Sequence, residues 1–243
     1  VDVGPSATVE ELVKSLKTIG IERLDYILLT HIHLDHAGGV GELVEHFPGA
    51  KVVCHELAVK HLLKPQNLWE ATKKILGDIA MAYGEMKPVS ENTIIPCREF
   101  QIEGFKAINT PGHAVHHVSY TYDRYLFAGE AGGVFHSFKN ETYQRPATPP
   151  KFYLEEAIES IDKLLNLGKK KICFGHFGIY KDSKEMLERH RKQLFLWKEV
   201  IADQVKRSPK KENLIEDCMS KLLAVDKSFA SFYHLDDDIK ERE

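Results

Sequence analysis

Cysteine is scarce: the chain has four in 243 residues (Cys54, Cys97, Cys173 and Cys218), far apart and with no C-x-x-C pair. That excludes a disulfide framework, and the thiols read as buried and reduced in a cytoplasmic protein. Long apolar runs are missing too: the run at 26–29 is among the longest, far short of the roughly 18–20 residues of a membrane span. No membrane association is expected, and no signal-peptide pattern is visible. The chain opens Val1-Asp2-Val3-Gly4 without a methionine, so further residues are expected upstream. A basic surplus is absent as well, with 33 Lys and Arg against 36 Asp and Glu, mixed throughout, for a net charge of −3. A nucleic-acid binder carries a concentrated basic face, so the expected partner is a small-molecule substrate. There is no internal repeat and no low-complexity tract. Hydrophobic residues at 43% and charged ones at 28% are those of an ordinary globular chain, which excludes a fibrous or disordered one. What is plentiful is histidine, with 13 residues.

Thr8-x-x-Glu11 has the form of a capping box, and Val9, Leu12, Val13, Leu16 and Ile19 follow at helical spacing up to Gly20. The apolar run 26–30 suits a strand covered on both faces and leads directly into a histidine-rich segment. The pattern predicts a helix over 39–47, a strand at 51–54 and two helices between Glu56 and Tyr83. Short strands are expected at 93–95, 100–102, 105–109, 117–122 and 125–128, separated by turn residues as in antiparallel hairpins. A helix at 152–167 and a strand at 171–174 follow, then helices at 183–205 and 211–224 and a charged, frayed tail from 236. Strand–helix, then strands, then strand–helix again points to sheets sandwiched between helix layers in one domain, 1–243. Residues from about 183 onward would form a helical C-terminal extension packed on it.

His31-x-His33-x-Asp35-His36 places three imidazoles and a carboxylate within six residues, just after a buried strand. Residues two apart on an extended segment point the same way, so His31 and His33 converge on one ion. Asp35 and His36, after the turn, face a second position nearby. Imidazole nitrogen and carboxylate oxygen are the donors that divalent ions prefer. Three later positions share one grammar, a strand end followed by a turn and a ligand-capable side chain: His113, Glu130 and His176. Each alone is an ordinary turn residue; together they supply the ligands the first motif lacks.

With these runs in view (Thr30–His36, Thr110-Pro111-Gly112-His113, Leu126-Phe127-Ala128-Gly129-Glu130 and Gly175-His176) the sequence resembles the metallo-β-lactamase superfamily. Asp2-x-Gly4 is similar to the Asp-x-Gly that ends an early strand in that family. The resemblance implies an αββα sandwich with a metal centre at one edge of the two sheets. It implies two divalent metal ions, most readily Zn2+ with Fe or Mn as alternatives: His31, His33 and His113 on one, Asp35, His36 and His176 on the other, and Glu130 bridging. It also implies N-terminal strands before Asp2 that this sequence does not contain.

One ligand departs from the pattern. The family ordinarily has aspartate where this chain has Glu130, and the extra methylene carries the carboxylate outward by more than about an ångström. Either the strand end shifts to compensate, or Glu130 binds one ion, or it does not ligate. Two divalent ions less Asp35, Glu130 and a hydroxide leave a residual charge near +1. The reaction expected is attack of a metal-bound hydroxide on an ester, thioester or lactone-type carbonyl, as in glyoxalase II and lactonases. Asp35 is the catalytic proton carrier, and Tyr180, four residues after His176, is a candidate to polarise a substrate oxygen; a packed tyrosine is its alternative reading. His117 reads as structural, and Asp2 as support for the ligand loop. The alternatives are a mononuclear iron oxidoreductase acting on sulfur compounds, a phosphodiesterase or nuclease of the same superfamily, and a protein that keeps the fold without catalysis. Metal identity separates the first from a hydrolase; salt-dependent binding to tRNA or single-stranded DNA would single out the second. A homo-oligomer is compatible with the long apolar-striped helix.

Overall fold

Side chains of a strand alternate between its two faces, and that alternation builds this molecule. The structure, a computed structural model, describes residues 1–138, 141–207 and 213–240. In Tyr26–Leu28 (β1) and the residue after it, Ile27 and Leu29 face outward; in Lys51–Cys54 (β2), Val52 and Cys54 do the same. They pack against Val9–Thr18 (α1), Leu34–Ala37 (α2), Val40–His46 (α3), Glu56–Leu63 (α4), Gln66–Leu76 (α5) and Asp78–Tyr83 (α6). Leu28 and Val53 point the other way, into a layer shared with Val118 and Tyr120.

Those two belong to the second sheet. Ile94–Pro96 (β3) completes the first, parallel sheet in the order β1-β2-β3. Phe105–Asn109 (β4), Val118–Tyr122 (β5) and Tyr125–Gly129 (β6) form an antiparallel meander. Val134–Phe138 (β7) and Glu141–Arg145 (β8) form a separate hairpin. Lys171–Phe174 (β9) runs parallel to β6, and Ile179–Tyr180 (β10) closes the order β10-β9-β6-β5-β4. The outer face of this sheet, with Leu126, Ala128 and Ile172, is covered by Leu154–Leu165 (α7) and Ser183–Arg207 (α8). The result is the αββα sandwich. The two sheets are stitched at one edge, where Tyr120 donates its hydroxyl to Leu29 O at 2.8 Å and Val118 N–H donates to Thr30 O at 2.7 Å.

Beyond the sandwich, Leu214–Val225 (α9), Lys227–Ala230 (α10) and Asp237–Lys240 (α11) follow. Leu222 and Phe229 pack with Trp197 of α8 against Tyr143 of β8. Among the described residues no helix is long and apolar enough to cross a membrane.

Several local expectations are corrected. The capping box at Thr8 does not form: the Thr8 hydroxyl donates back to Pro5 O at 3.0 Å, and a 3-10 turn at Ser6–Thr8 leads into α1 instead. The segment between Glu56 and Tyr83 holds three helices, not two, because the chain turns at Gly77 with φ +54°. Residues 100–102 are not a strand; Phe100 packs edge-on against Tyr26 and Phe105 as a loop anchor. The β7–β8 hairpin was not foreseen, although two five-residue runs two residues apart are its sequence sign. Asp237–Lys240 is a helical turn within the tail read as frayed; the start of the helix expected from 211, residues 211–212, lies outside the described residues, as do 241–243.

Candidate metal centre

The ligand-capable side chains all leave the sandwich at the stitched edge. β1 ends at Leu28, and a short loop that bends at Thr30 runs to His33, itself extended, at the start of α2, and brings the His31 and His33 rings together. Asp35 and His36 lie in the first turn of α2. His113 follows β4 after Thr110-Pro111-Gly112. Gly112, at φ +138°, is required there because a Cβ would meet the Ala157 backbone of α7 at 2.5 Å. Glu130 and His176 follow the ends of β6 and β9, which are neighbours.

Donor atoms from seven residues gather in two adjoining groups: His31, His33, His113 and Glu130 in one, Asp35, His36 and His176 in the other. In the first, His31 Nε2 and His113 Nε2 each lie 3.0 Å from His33 Nδ1. In the second, His36 Nε2 and His176 Nε2 are 3.2 Å apart, and each is 3.5 Å from Asp35 Oδ2. Tetrahedral zinc–imidazole bonds of about 2.0–2.1 Å give ligand-to-ligand edges of about 3.3 Å, close to these separations.

The outer ring atoms fix the tautomers. His113 Nδ1 faces Ala147 O at 3.0 Å, and a carbonyl only accepts, so Nδ1 carries the proton. His36 Nδ1 likewise donates to Asp2 Oδ2 at 3.0 Å. The Thr30 hydroxyl gives its proton to Asp2 Oδ2 at 2.9 Å, so His31 Nδ1 donates to Thr30 Oγ1 at 3.0 Å. Each Nε2 therefore turns a lone pair into the site, the arrangement that outer hydrogen bonds impose on metal-binding histidines. Most telling is Glu130 Oε2: it is buried without a hydrogen-bond partner, yet lies 2.6 Å from the lone pair of His113 Nε2 and 3.2 Å from that of His31. Two electron-rich atoms at 2.6 Å call for a metal ion or a proton between them. The donor set fits a metal ion.

Electrostatics agree. Burial, with the neighbouring His36, holds His31 well below its ordinary value, and burial with His113 brings His33 down to about 4; both are neutral, as ligands must be. Burial penalises the Glu130 charge, but positive charge on the facing His113, with N–H donation from His113, His176 and His31, outweighs it and keeps the carboxylate well below its usual range, a charge that a metal ion would supply in their place. Burial also opposes charge on His36, while Asp2, Glu130 and Asp35 overcome it and push that group up to about 10, so an ion taken up at Nε2 displaces a proton there. Three carboxylates around one imidazole make a locus that demands positive charge.

The geometry groups the Glu130 carboxylate with His31, His33 and His113 and brings its other oxygen to 3.3 Å from His176. The register of β6 against β9 slips between Phe127 and Gly129, and Gly129 turns to φ +54°. A Cβ on Gly129 would meet His117 Nε2 at 2.6 Å, so glycine is needed. Glu130 N–H donates to that same His117 Nε2 at 3.2 Å. His117 Nδ1–H in turn reaches Thr110 Oγ1 at 2.8 Å, continuing through Ser119 to Ala128 O. So held, the longer side chain puts Oε2 against His31 and His113 and Oε1 3.3 Å from His176.

Tyr180 is not brought into this cluster: its hydroxyl donates to Glu185 of α8 at 3.2 Å, and its ring packs beside Phe135. His116 stands behind the ligands, 6.1 Å ring to ring from His33. The orienting roles of Thr30 and the Ala147 carbonyl escaped the sequence reading; a backbone acceptor leaves no sign in sequence, whereas the Thr preceding His31 was visible. A cleft of about 370 Å³ opens over the groups, lined by His33, Asp35, Tyr83, His113 and Glu130 among others.

The model of the metallo-beta-lactamase superfamily matches residues 1–176. The chain belongs to this superfamily. A metallo-beta-lactamase fold-containing protein of Sulfurisphaera tokodaii, ST1585, is 33% identical over 189 residues, 74% of this chain and 70% of that protein. The crystal structure of ST1585 from Sulfolobus tokodaii matches with a TM-score of 0.60 at 32% identity over 71% of this chain and 68% of that one. A hydroxyacylglutathione hydrolase of Buchnera aphidicola is 30% identical over 171 residues, 69% of this chain; the chain spans 53% of that enzyme's length. In fold alone, the metallo-beta-lactamase family protein TTHA1429 of Thermus thermophilus has a TM-score of 0.61 at 21% identity, over 91% of this chain and 83% of that one.

Asp2 joins the ligand-capable cluster to the strand edge. Besides His36 and the Thr30 hydroxyl, it accepts Thr30 N–H on Oδ1 at 2.7 Å. In Asp2→Asn the amide must face a donor, which drives His36 to the opposite tautomer and turns an N–H into the site. We expect metal affinity to fall by about 10–100-fold, read by competition with a chromophoric chelator. Unchanged affinity would refute the orienting role.

Proposed function

We propose that the protein is a dizinc hydrolase that cleaves an ester, thioester or lactone carbonyl of a small-molecule substrate. The observation that carries this is the Glu130 carboxylate reaching both groups of ligand-capable side chains, Oε2 at 2.6 Å from His113 and Oε1 at 3.3 Å from His176. The likeness to a hydroxyacylglutathione hydrolase supports it. His31, His33 and His113 would hold one ion, Asp35, His36 and His176 the other, with Glu130 between them. Divalent ions held there acidify a bound water and polarise the substrate oxygen.

The chain's own residues do the rest. Thr30, Asp2 and Ala147 hold three imidazoles in the donor tautomer and fix their planes. His117, buried and kept neutral with a pKa down to about 3 by burial, seats the Glu130 backbone. Asp35, on the open side of the cleft, receives the proton of the attacking water and returns it to the leaving oxygen or sulfur as the carbonyl bond breaks. Tyr180, turned onto Glu185, has no part in this scheme. The cytoplasmic setting stays with the reading of reduced thiols, and the four cysteines are all unpaired.

The test is elemental analysis of protein purified without chelator, together with a hydrolysis screen of thioesters, esters and lactones. Two equivalents of zinc per chain with turnover of one of these classes is the expected result. A single iron with no hydrolysis overturns it and moves oxygen-dependent sulfur chemistry ahead.

A further inference from the structure

We propose that the C-terminal helices supply an acyl pocket, in which the apolar tail of an acyl thioester or ester lies between Trp197, Met219 and Phe229 while its carbonyl sits at the metal centre. This rests on the hydrolase reading above and names the substrate class. A second cavity, of about 380 Å³, runs from Glu130 and His113 to those three side chains on α8, α9 and α10. It shares Glu130, His113, Arg145 and Pro149 with the cleft over Asp35, so the two are arms of one site meeting at the ligands. At about 30 Å³ per water-sized group, the arm holds roughly a dozen non-hydrogen atoms.

Its walls are fixed in place. Trp197 Nε1–H donates to Asp226 Oδ2 at 2.7 Å, which satisfies the indole's one polar atom and leaves the cavity carbon to face. The same buried carboxylate accepts the Phe229 and Ser228 backbone N–H groups at 3.2 and 3.0 Å, and Gln193 Nε2 at 2.7 Å. Asp226 thereby ties the α8 wall to the α10 wall, and Trp197 meets Phe229 edge to face at 4.9 Å between centroids. An arm that runs past Arg145 and Thr148 to an apolar far end at Trp197, Met219 and Phe229 favours a long acyl group over a short one, by about fourfold per methylene buried at that end.

Hydrolysis of an octanoyl thioester by water yields octanoate and a thiol, so the product keeps the tail and is itself a ligand of the pocket. The chain has two tryptophans, Trp69 and Trp197, and Trp69 lies in the core of the first sheet layer. Bromo-octanoate added to the metal-loaded protein should quench Trp197 fluorescence saturably, with octanoate competing and acetate not, and the quench should vanish in Trp197→Phe. No quench, or an equal quench in Trp197→Phe, overturns the proposal. In kinetics, kcat/KM for octanoyl over acetyl thioester should exceed about a hundredfold, and Met219→Trp should cut that ratio by about tenfold or more. Turnover without length preference and without quench removes the pocket and leaves the hydrolase; quench without turnover of any thioester or ester does the reverse.

Discussion

Replacing Asp35 with asparagine should lower kcat/KM for the hydrolysed substrate by about two to four orders of magnitude, the range that a general acid–base group supplies. The expectation follows from position and charge. Asp35 Oδ2 lies 3.5 Å from both His36 Nε2 and His176 Nε2, and the side chain is 28% exposed, so it reaches both the second ligand group and the cleft. Asparagine keeps the shape but cannot take up a proton. It also withdraws a negative charge from the second group, so elemental analysis belongs beside the kinetics. A variant that keeps two ions and loses turnover isolates the proton-carrying role; one that loses an ion as well shows Asp35 acting as ligand too. The fold should survive, because the side chain packs into no core cluster, and the thermal midpoint of the metal-free protein should move little. Activity within tenfold of the unaltered protein would end the role we assign to Asp35.

On the dinuclear reading proposed above, Glu130→Asp, which restores the family's usual residue, should cost the second ion. The carboxylate would retreat by more than about an ångström, from a position where Oε2 is 2.6 Å from His113 and Oε1 is 3.3 Å from His176. The backbone cannot follow it: Gly129 is locked at φ +54° against His117, and Glu130 N–H is tied to the His117 ring. Metal–ligand distances tolerate only about 0.2 Å. We expect one ion per chain after gel filtration, held by His31, His33 and His113, and hydrolysis lower by at least about a hundredfold. Two tightly held ions and full turnover in Glu130→Asp would show that the strand end is free to move, contrary to the bulged geometry.

How far the sequence carried differs from one residue to the next. His31 and His33 were legible because spacing by two on an extended segment puts side chains on one side, and strand and loop are consecutive in sequence. His113, Glu130 and His176 were legible only as strand-end residues, and their convergence depended on β4, β6 and β9 ending at one edge, a matter of sheet order. The capping box failed because a capping pattern states a local preference, and the 3-10 turn at Ser6–Thr8 took the Thr8 hydroxyl instead. Tyr180, four residues from His176 in the chain, lies on a strand paired back along β9, so nearness in sequence became distance from the ligands.

The runs Thr30–His36, Thr110–His113, Leu126–Glu130 and Gly175-His176 carried by themselves the resemblance to the family and, through it, the sandwich fold, because residue identity and short-range spacing are properties of the chain. Only the tertiary structure decided how Glu130 reaches both ligand groups, which nitrogen of each histidine faces inward, and which helices wall the cleft. Those depend on a slipped strand register, on backbone acceptors such as Ala147 O, and on Asp226 joining α8 to α10, contacts between segments far apart in sequence that only packing brings within hydrogen-bond range.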